Sequence, residues 1–146
     1  MDIYEEMVMT FLVANKETFI VPQYPIGQGW SYPDFLAIRP AKKHAYIVEV
    51  SSAWNLETLL KKVRSRDTQW LTNLANQLKS LCITEETWVY RVLIFVRRER
   101  IEWFRKGIGD SRDVLVIPLE ITFTPWNWKD IVYTSDFSFE RDAFEK

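Results

Sequence analysis

The run His44-Ala45-Tyr46-Ile47-Val48-Glu49-Val50-Ser51-Ser52 constrains the fold more than any other stretch of the chain. Its centre is apolar in both parities of the alternation, so as a strand it has no face to turn to solvent. Such a strand belongs inside a sheet that is covered on both sides. One carboxylate, Glu49, stands between Val48 and Val50. A strand centre is a costly position for a carboxylate unless it is paired, hydrogen-bonded or bound to a metal. Just upstream, Tyr32-Pro33-Asp34-Phe35-Leu36-Ala37-Ile38-Arg39 reads as a shorter strand. Pro40-Ala41-Lys42-Lys43 is the turn that joins the two into an antiparallel hairpin.

The pattern around the hairpin is mixed. Residues 2–16 read as a helix, because Ile3, Tyr4, Met7, Val8, Phe11 and Leu12 fall on one stripe. Asp2, Glu5 and Glu6 sit in its first turns, where negative charge suits the helix dipole. Thr18 to Ile26 is β-branched and aromatic but broken by Pro22 and Pro25, so it reads as an edge strand or an irregular extended piece. Gly27 to Ser31 is a turn or loop. From Asn55, a candidate cap, to about Ser80 the spacing is helical, with a break expected near Arg66-Asp67-Thr68. Trp88 to Val96 is a strong strand. Arg98 to Lys106 reads as a helix ended by Gly107 and Gly109. Val114 to Ile117 is a short strand, with Leu119 to Phe123 as its continuation past Pro118. The aromatic, acidic tail from Pro125 is ambiguous. The order predicts an α/β domain spanning residues 1–146, a central mixed β-sheet flanked by helices.

Composition excludes several classes of function. Cys82 is the only cysteine and His44 the only histidine, which removes disulfide frameworks, cysteine zinc sites and multi-histidine metal sites. Cys82 reads as a small core residue rather than a nucleophile. Gly27-x-Gly29 lacks the Gly-Lys-Ser/Thr of a phosphate-binding loop. No apolar run approaches the roughly 20 residues of a membrane helix. The acidic start, Met1 to Glu6, is unlike a signal peptide, so a cytoplasmic protein without a membrane partner is expected. Net charge is −1, yet residues 39–106 carry +7 and the flanks −8. A basic middle fits a nucleic-acid groove, and it equally fits a set of solvated faces.

Alternation puts Ala45, Ile47, Glu49 and Ser51 on one face, and Asp34 on the adjacent strand can present its carboxylate to the same point. Two carboxylates converging there form an oxygen-rich site of the kind Mg²⁺ or Mn²⁺ occupies. Such an ion lowers the pKa of a bound water and stabilises charge on a phosphoryl oxygen. The alternative is that Glu49 pairs with a neighbouring arginine and Asp34 caps a turn.

Pro33-Asp34, a hairpin, then Glu49-Val50-Ser51 at the end of an apolar strand resembles the PD-(D/E)XK nuclease superfamily. The order helix, strands, helix, strand over roughly residues 2 to 117 is similar to that superfamily's restriction-endonuclease-like core. The resemblance implies a metal-dependent nuclease that hydrolyses phosphodiester bonds in nucleic acid, with DNA the first expectation. Asp34 and Glu49 would be the Mg²⁺ or Mn²⁺ ligands, aided by the Val50 carbonyl. An acidic residue of the first helix often contributes in such proteins, and Glu5 is preferred here over Glu6. Gln69 or Gln77 would stand for the glutamine that some relatives carry on the following helix. The motif ends in lysine in the family and in Ser51 here. A hydroxyl holds a water but brings no positive charge. Some relatives supply the cation from another element, and Lys61 and Lys62 on the next helix are the candidates. The alternative function is a catalytically inactive nuclease-fold module that binds nucleic acid or a partner protein. A homodimer, or a subunit that cleaves only within a larger assembly, is compatible with either.

Arg97, Arg98, Arg100, Arg105 and Lys106 cluster after the strong strand, with Trp103 and Phe104 among them. Basic residues interleaved with aromatics can follow a phosphate backbone and stack on bases. Arg98 and Arg105, with Lys61 and Lys62, are the candidate nucleic-acid contacts. A solvated helix face over a buried tryptophan explains the same residues. Trp126-Asn127-Trp128 with Phe123 is either an exposed patch or a segment packed on the core.

Overall fold

A single mixed sheet with helices on both faces organises the described residues of the computed structural model, which are 1–14, 18–27, 32–109 and 111–124. In chain order the elements are α1 (Ile3–Val13), β1 (Phe19–Pro22), β2 (Phe35–Arg39), β3 (His44–Ser51), α2 (Glu57–Arg64), α3 (Thr72–Ser80), β4 (Val89–Val96), α4 (Ile101–Ile108) and β5 (Val114–Pro118). The five strands lie in sequence order, β1-β2-β3-β4-β5. β1, β2 and β3 pair antiparallel, and β4 and β5 continue the sheet parallel to β3. Parallel neighbours need crossovers. The α2–α3 stretch supplies one and α4 the other. This is the expected α/β architecture, a central mixed sheet flanked by helices.

The apolar character of β3 in both parities has a direct structural cause. Ala45 and Ile47 pack with Leu36, Val92 and Ile94 against Leu60, Val63, Trp70 and Leu74 of the α2–α3 side. Tyr46 and Val48 pack with Phe35, Ala37, Leu93 and Phe95 against Val8, Phe11 and Leu12 of α1. Each face of the central strand is therefore half of a separate core layer.

Local chemistry sets the element ends. Asp2 and Glu5 form a capping box at the start of α1: Glu5 N–H donates to Asp2 Oδ1 and Asp2 N–H to Glu5 Oε2, both at 2.8 Å. The helix ends at Val13, short of the expected Lys16. β1 is the edge strand expected of the proline-broken segment. The carboxamide oxygen of Asn55 accepts from Glu57 N at 3.1 Å, although Leu56 is the N-cap of α2. The expected break between α2 and α3 takes the form of a widened π-helical turn over Asp67–Leu71. Ser65 Oγ donates back to the Lys61 carbonyl at 2.9 Å, a bond that competes with the helix ladder where α2 ends.

Three local expectations are corrected. Leu119–Phe123 is a 3₁₀ turn rather than a continuation of β5, and Pro118, which has no N–H for the ladder, closes the strand. Gly107 lies inside α4 instead of ending it. A Cβ there would come within 2.6 Å of Leu60 Cδ2, so the missing side chain is what lets α4 approach α2. Gly109, at φ 85°, makes the stop. Cys82 is exposed, in the turn after α3, and is not a core residue. No helix among the described residues is long and apolar enough to cross a membrane. The tail, with Trp126, Asn127 and Trp128, lies outside the described residues, as do 15–17 and 28–31.

Candidate functional site

β2 begins at Phe35, which pairs with Val48. Beyond that point no strand among the described residues pairs with β3 on the β2 side. The Asp34 side chain takes over: Val50 N–H donates to Asp34 Oδ2 at 2.8 Å. The Asp34 main chain is fixed as well, since its carbonyl accepts from Gln23 N at 3.0 Å, at the end of β1. Asp34 thus substitutes for a ladder bond, which is more than a turn cap. A residue's N–H and C=O leave a strand on the same edge, so the Val50 carbonyl also opens where β2 has stopped.

Glu49 shares the parity of Ala45 and Ile47 and faces the α2 side, only 8% exposed. Its carboxyl hydrogen-bonds the Asp34 carboxylate. Burial, and then the charge and hydrogen bond of Asp34, push the Glu49 pKa up to about 9. Lys62 pulls in the opposite direction, and Glu5 adds to the rise. The groups acting on Glu49 are therefore Asp34, Lys62 and Glu5 rather than an arginine. Without a cation, Glu49 holds its proton well above the ordinary carboxylate range.

Glu5 reaches the same cluster from α1. Its carboxyl is hydrogen-bonded to Asp34 as well as to the Asp2 N–H. Burial raises its pKa, the Asp2 bond opposes the rise, and Asp34 adds to it. Glu6 is exposed. The structure brings Asp34, Glu49, Glu5 and Lys62 together. Lys61 and Lys62, about 100° apart round the helix, are both exposed, and of the two only Lys62 is among the groups whose charge acts on Glu49. Ser51 is half-buried, and its Oγ accepts from Ala53 N at 3.2 Å.

The donor set suits a hard cation. Two carboxylates and an open main-chain carbonyl are the oxygen ligands that Mg²⁺ or Mn²⁺ takes, with water filling the remaining positions. A buried carboxyl kept protonated beside a second carboxylate is a charge problem that a divalent ion resolves. Among the described residues no group of three or more His, Cys, Asp or Glu side chains forms a ready metal cage.

The other predicted site residues lie elsewhere. Arg98 has an exposed side chain, while its backbone N–H donates to both oxygens of Glu120, at 3.1 and 3.2 Å. Arg105 turns to the sheet, where its guanidinium donates to the Val116 carbonyl at 3.3 Å. Gln77 is corrected to a structural role: it donates to the Pro25 carbonyl at 3.0 Å and accepts from Gly27 N. Gln69 is exposed. Sequence reasoning missed a cavity of about 220 Å³ lined by Tyr4, Ser52, Arg97, Glu99, Glu120 and Phe123. Tyr4 and Ser52 are the chain neighbours of Glu5 and Ser51. The lining comes from scattered positions, so no local signal announces it.

No protein-family model matches the chain, and no curated protein sequence matches it significantly. Among solved structures it is similar to the small subunit of a heterodimeric restriction endonuclease. That similarity has 12% identity and a TM-score of 0.47, over 97% of this chain and 83% of the other.

Proposed function

We propose that this chain is a metal-dependent nuclease of the PD-(D/E)XK type, hydrolysing phosphodiester bonds in nucleic acid, DNA before RNA, in the cytoplasm. The observation that carries the reading is the meeting of Asp34 and Glu49 at the frayed end of the β2–β3 pairing, with Asp34 Oδ2 anchored on Val50 N–H. Asp34, Glu49 and the Val50 carbonyl would hold Mg²⁺ or Mn²⁺. When bound, that ion would neutralise phosphoryl charge and acidify water. Glu49 releases its proton to become a ligand. Glu5, hydrogen-bonded to Asp34, keeps that carboxylate oriented. Lys62 would be the cation that the motif lacks at Ser51: from α2 its charge already acts on Glu49, and it would orient the attacking water and offset charge on the phosphoryl oxygens.

Supercoiled plasmid incubated with Mg²⁺ tests the reading. Nicking or linearisation that stops with chelator, and stops in Asp34→Ala and Glu49→Ala, is the expected result. Cleavage that persists in both variants would overturn it. A second reading, a non-catalytic module that binds nucleic acid or a protein, is favoured by one observation: the Ser51 hydroxyl carries no charge and is engaged by Ala53 N–H. Metal and nucleic acid both bound, with no cleavage of any form, would select it.

A further inference from the structure

The loop that leaves β3 carries Trp54, a residue 61% exposed in spite of its size. A lone exposed indole means little. This one is built into a stack. The Arg100 guanidinium carbon lies 4.6 Å from the centroid of the Trp54 ring and 4.5 Å from that of Trp103. The guanidinium is thus sandwiched between two indoles, at the ordinary distance of a cation–π contact. Arg100 Nε is buried without a hydrogen-bond partner, so stacking is its compensation on that side. The loop itself is tied down: Arg97 Nε donates to the Ser52 carbonyl, and Ala53 N–H to Ser51 Oγ.

Arg100 lies over one face of the Trp54 ring, and the residue still keeps most of its surface exposed. The ring stands three residues past Ser51, in the loop that the exposed Arg97 binds through the Ser52 carbonyl, and this cation would draw a polyanion. Its orientation is fixed before any ligand arrives, so little side-chain entropy is lost on contact. A flat, rigid π-face next to cations suits one chemistry above others, a nucleobase free to stack. Bases inside a duplex have both faces covered by their neighbours, so the base must be unpaired.

We infer that Trp54, held by Arg100 and Trp103, is a stacking platform for an unpaired nucleobase next to the phosphate handled by Asp34 and Glu49. The inference rests on the nucleic-acid reading above and narrows its ligand to strands with an unpaired base: single strands, gaps or frayed ends.

Fluorescence anisotropy in chelator measures binding apart from chemistry. The probes are a labelled 20-nucleotide oligo-dT and a fully paired two-stranded duplex with GC-rich ends. Stacking of one base is worth about 1–3 kcal/mol, so Trp54→Ala should weaken oligo-dT binding about 5- to 150-fold. Duplex affinity should change less than about threefold, and Trp54→Phe should recover most of the oligo-dT affinity because a ring is restored. Thermal melts check that each variant is folded, and Trp54→Leu replaces the alanine variant if that one is not. An equal loss on both probes, no loss on either, or no binding of oligo-dT by the wild type would overturn the inference. Self-association that disappears in Trp54→Ala while oligo-dT affinity is unchanged would assign the ring to a second copy of the chain, and would also overturn it. Plasmid cleavage by the wild type is scored separately. Its absence with a Trp54 effect on oligo-dT defeats hydrolysis and leaves stacking standing, and the reverse pattern defeats stacking alone.

Discussion

Two acidic side chains sit in partly enclosed surroundings of this fold, and they are treated in opposite ways. Asp113, at the start of β5, meets the Arg66 guanidinium as a fork: Nε to Oδ2 at 2.6 Å and Nη2 to Oδ1 at 2.9 Å. Ser111 Oγ adds a third donor at 2.6 Å. Arg66 holds the Asp113 pKa below its ordinary range. Glu49, deeper in the sheet, faces the Asp34 carboxylate instead, and its pKa rises. The chain therefore has the means to satisfy an enclosed carboxylate and does so where the role is structural. Arg66 ties the α2–α3 bend to the edge of the sheet. At Glu49 the cation acting among the described residues is the exposed Lys62, and it does not overcome the rise that burial and Asp34 impose. This contrast is the physical ground for reading Asp34 and Glu49 as a cation site.

The sharpest way to break the contrast is to remove that lysine. Lys62→Ala should lower Mg²⁺-dependent cleavage by about 10²–10³-fold, by analogy with the loss of a single charge-stabilising donor. Lys61→Ala should leave the rate within a few-fold. Adding Ser51→Lys to Lys62→Ala should restore part of the loss, since residue 51 shares a face with Glu49. Equal effects at the two lysines, measured as initial nicking rates, would show that Lys62 acts only as general surface charge.

Stability should separate the two carboxylates by sign. Arg66→Ala strands Asp113 and should cost about 1–3 kcal/mol in urea unfolding at neutral pH. Glu49→Gln removes a disfavoured ionisation and should gain about 1–3 kcal/mol at pH 8 in the absence of metal. The pH dependences should also oppose. The Asp113 pKa is lowered in the fold, so its contribution is present above the ordinary value of 3.8 and lost as pH falls through the folded value. The Glu49 pKa is raised, so its contribution is full below the ordinary 4.5 and lost as pH rises towards about 9. A Glu49→Gln variant less stable than wild type at pH 8 would contradict the assignment.

A smaller effect concerns the helix that carries Lys62. Gly107→Ala drives a Cβ against Leu60 and should destabilise the α2–α4 contact by about 1 kcal/mol, because the flexible leucine can give way. A melting temperature at or above that of wild type would mean that the two helices are not held at contact distance by Gly107.

What the sequence made legible follows from where local chemistry decides. The hairpin, Asp34 and Glu49 could be read because a carboxylate inside a strand with two apolar faces has few explanations. Glu5 could be preferred to Glu6 because helical phase sets which side a residue faces. Phase alone did not choose between Lys61 and Lys62, since both flank the apolar stripe and only the docking of α2 on the sheet separates them. Leu119–Phe123 was misread because an apolar run following a strand looks the same as strand or 3₁₀ turn until its hydrogen bonds are known. Gly107 was misread as punctuation because its reason, the approach of Leu60, is a tertiary contact. The Trp54–Arg100–Trp103 stack joins the loop after β3 to the first turn of α4, far apart in the chain, and no spacing rule anticipates it.

Calorimetric titration of the wild-type protein with Mn²⁺ at pH 7, repeated in buffers of different ionisation enthalpy, tests the central claim most directly. If Asp34 and Glu49 form the cation site, Mn²⁺ binds with release of close to one proton per ion, since Glu49 must ionise to become a ligand. Affinity should rise with pH towards about 9, and both binding and proton release should be lost in Asp34→Ala and Glu49→Gln. Mn²⁺ binding that is unchanged in both variants, or no binding by the folded wild type, would contradict it.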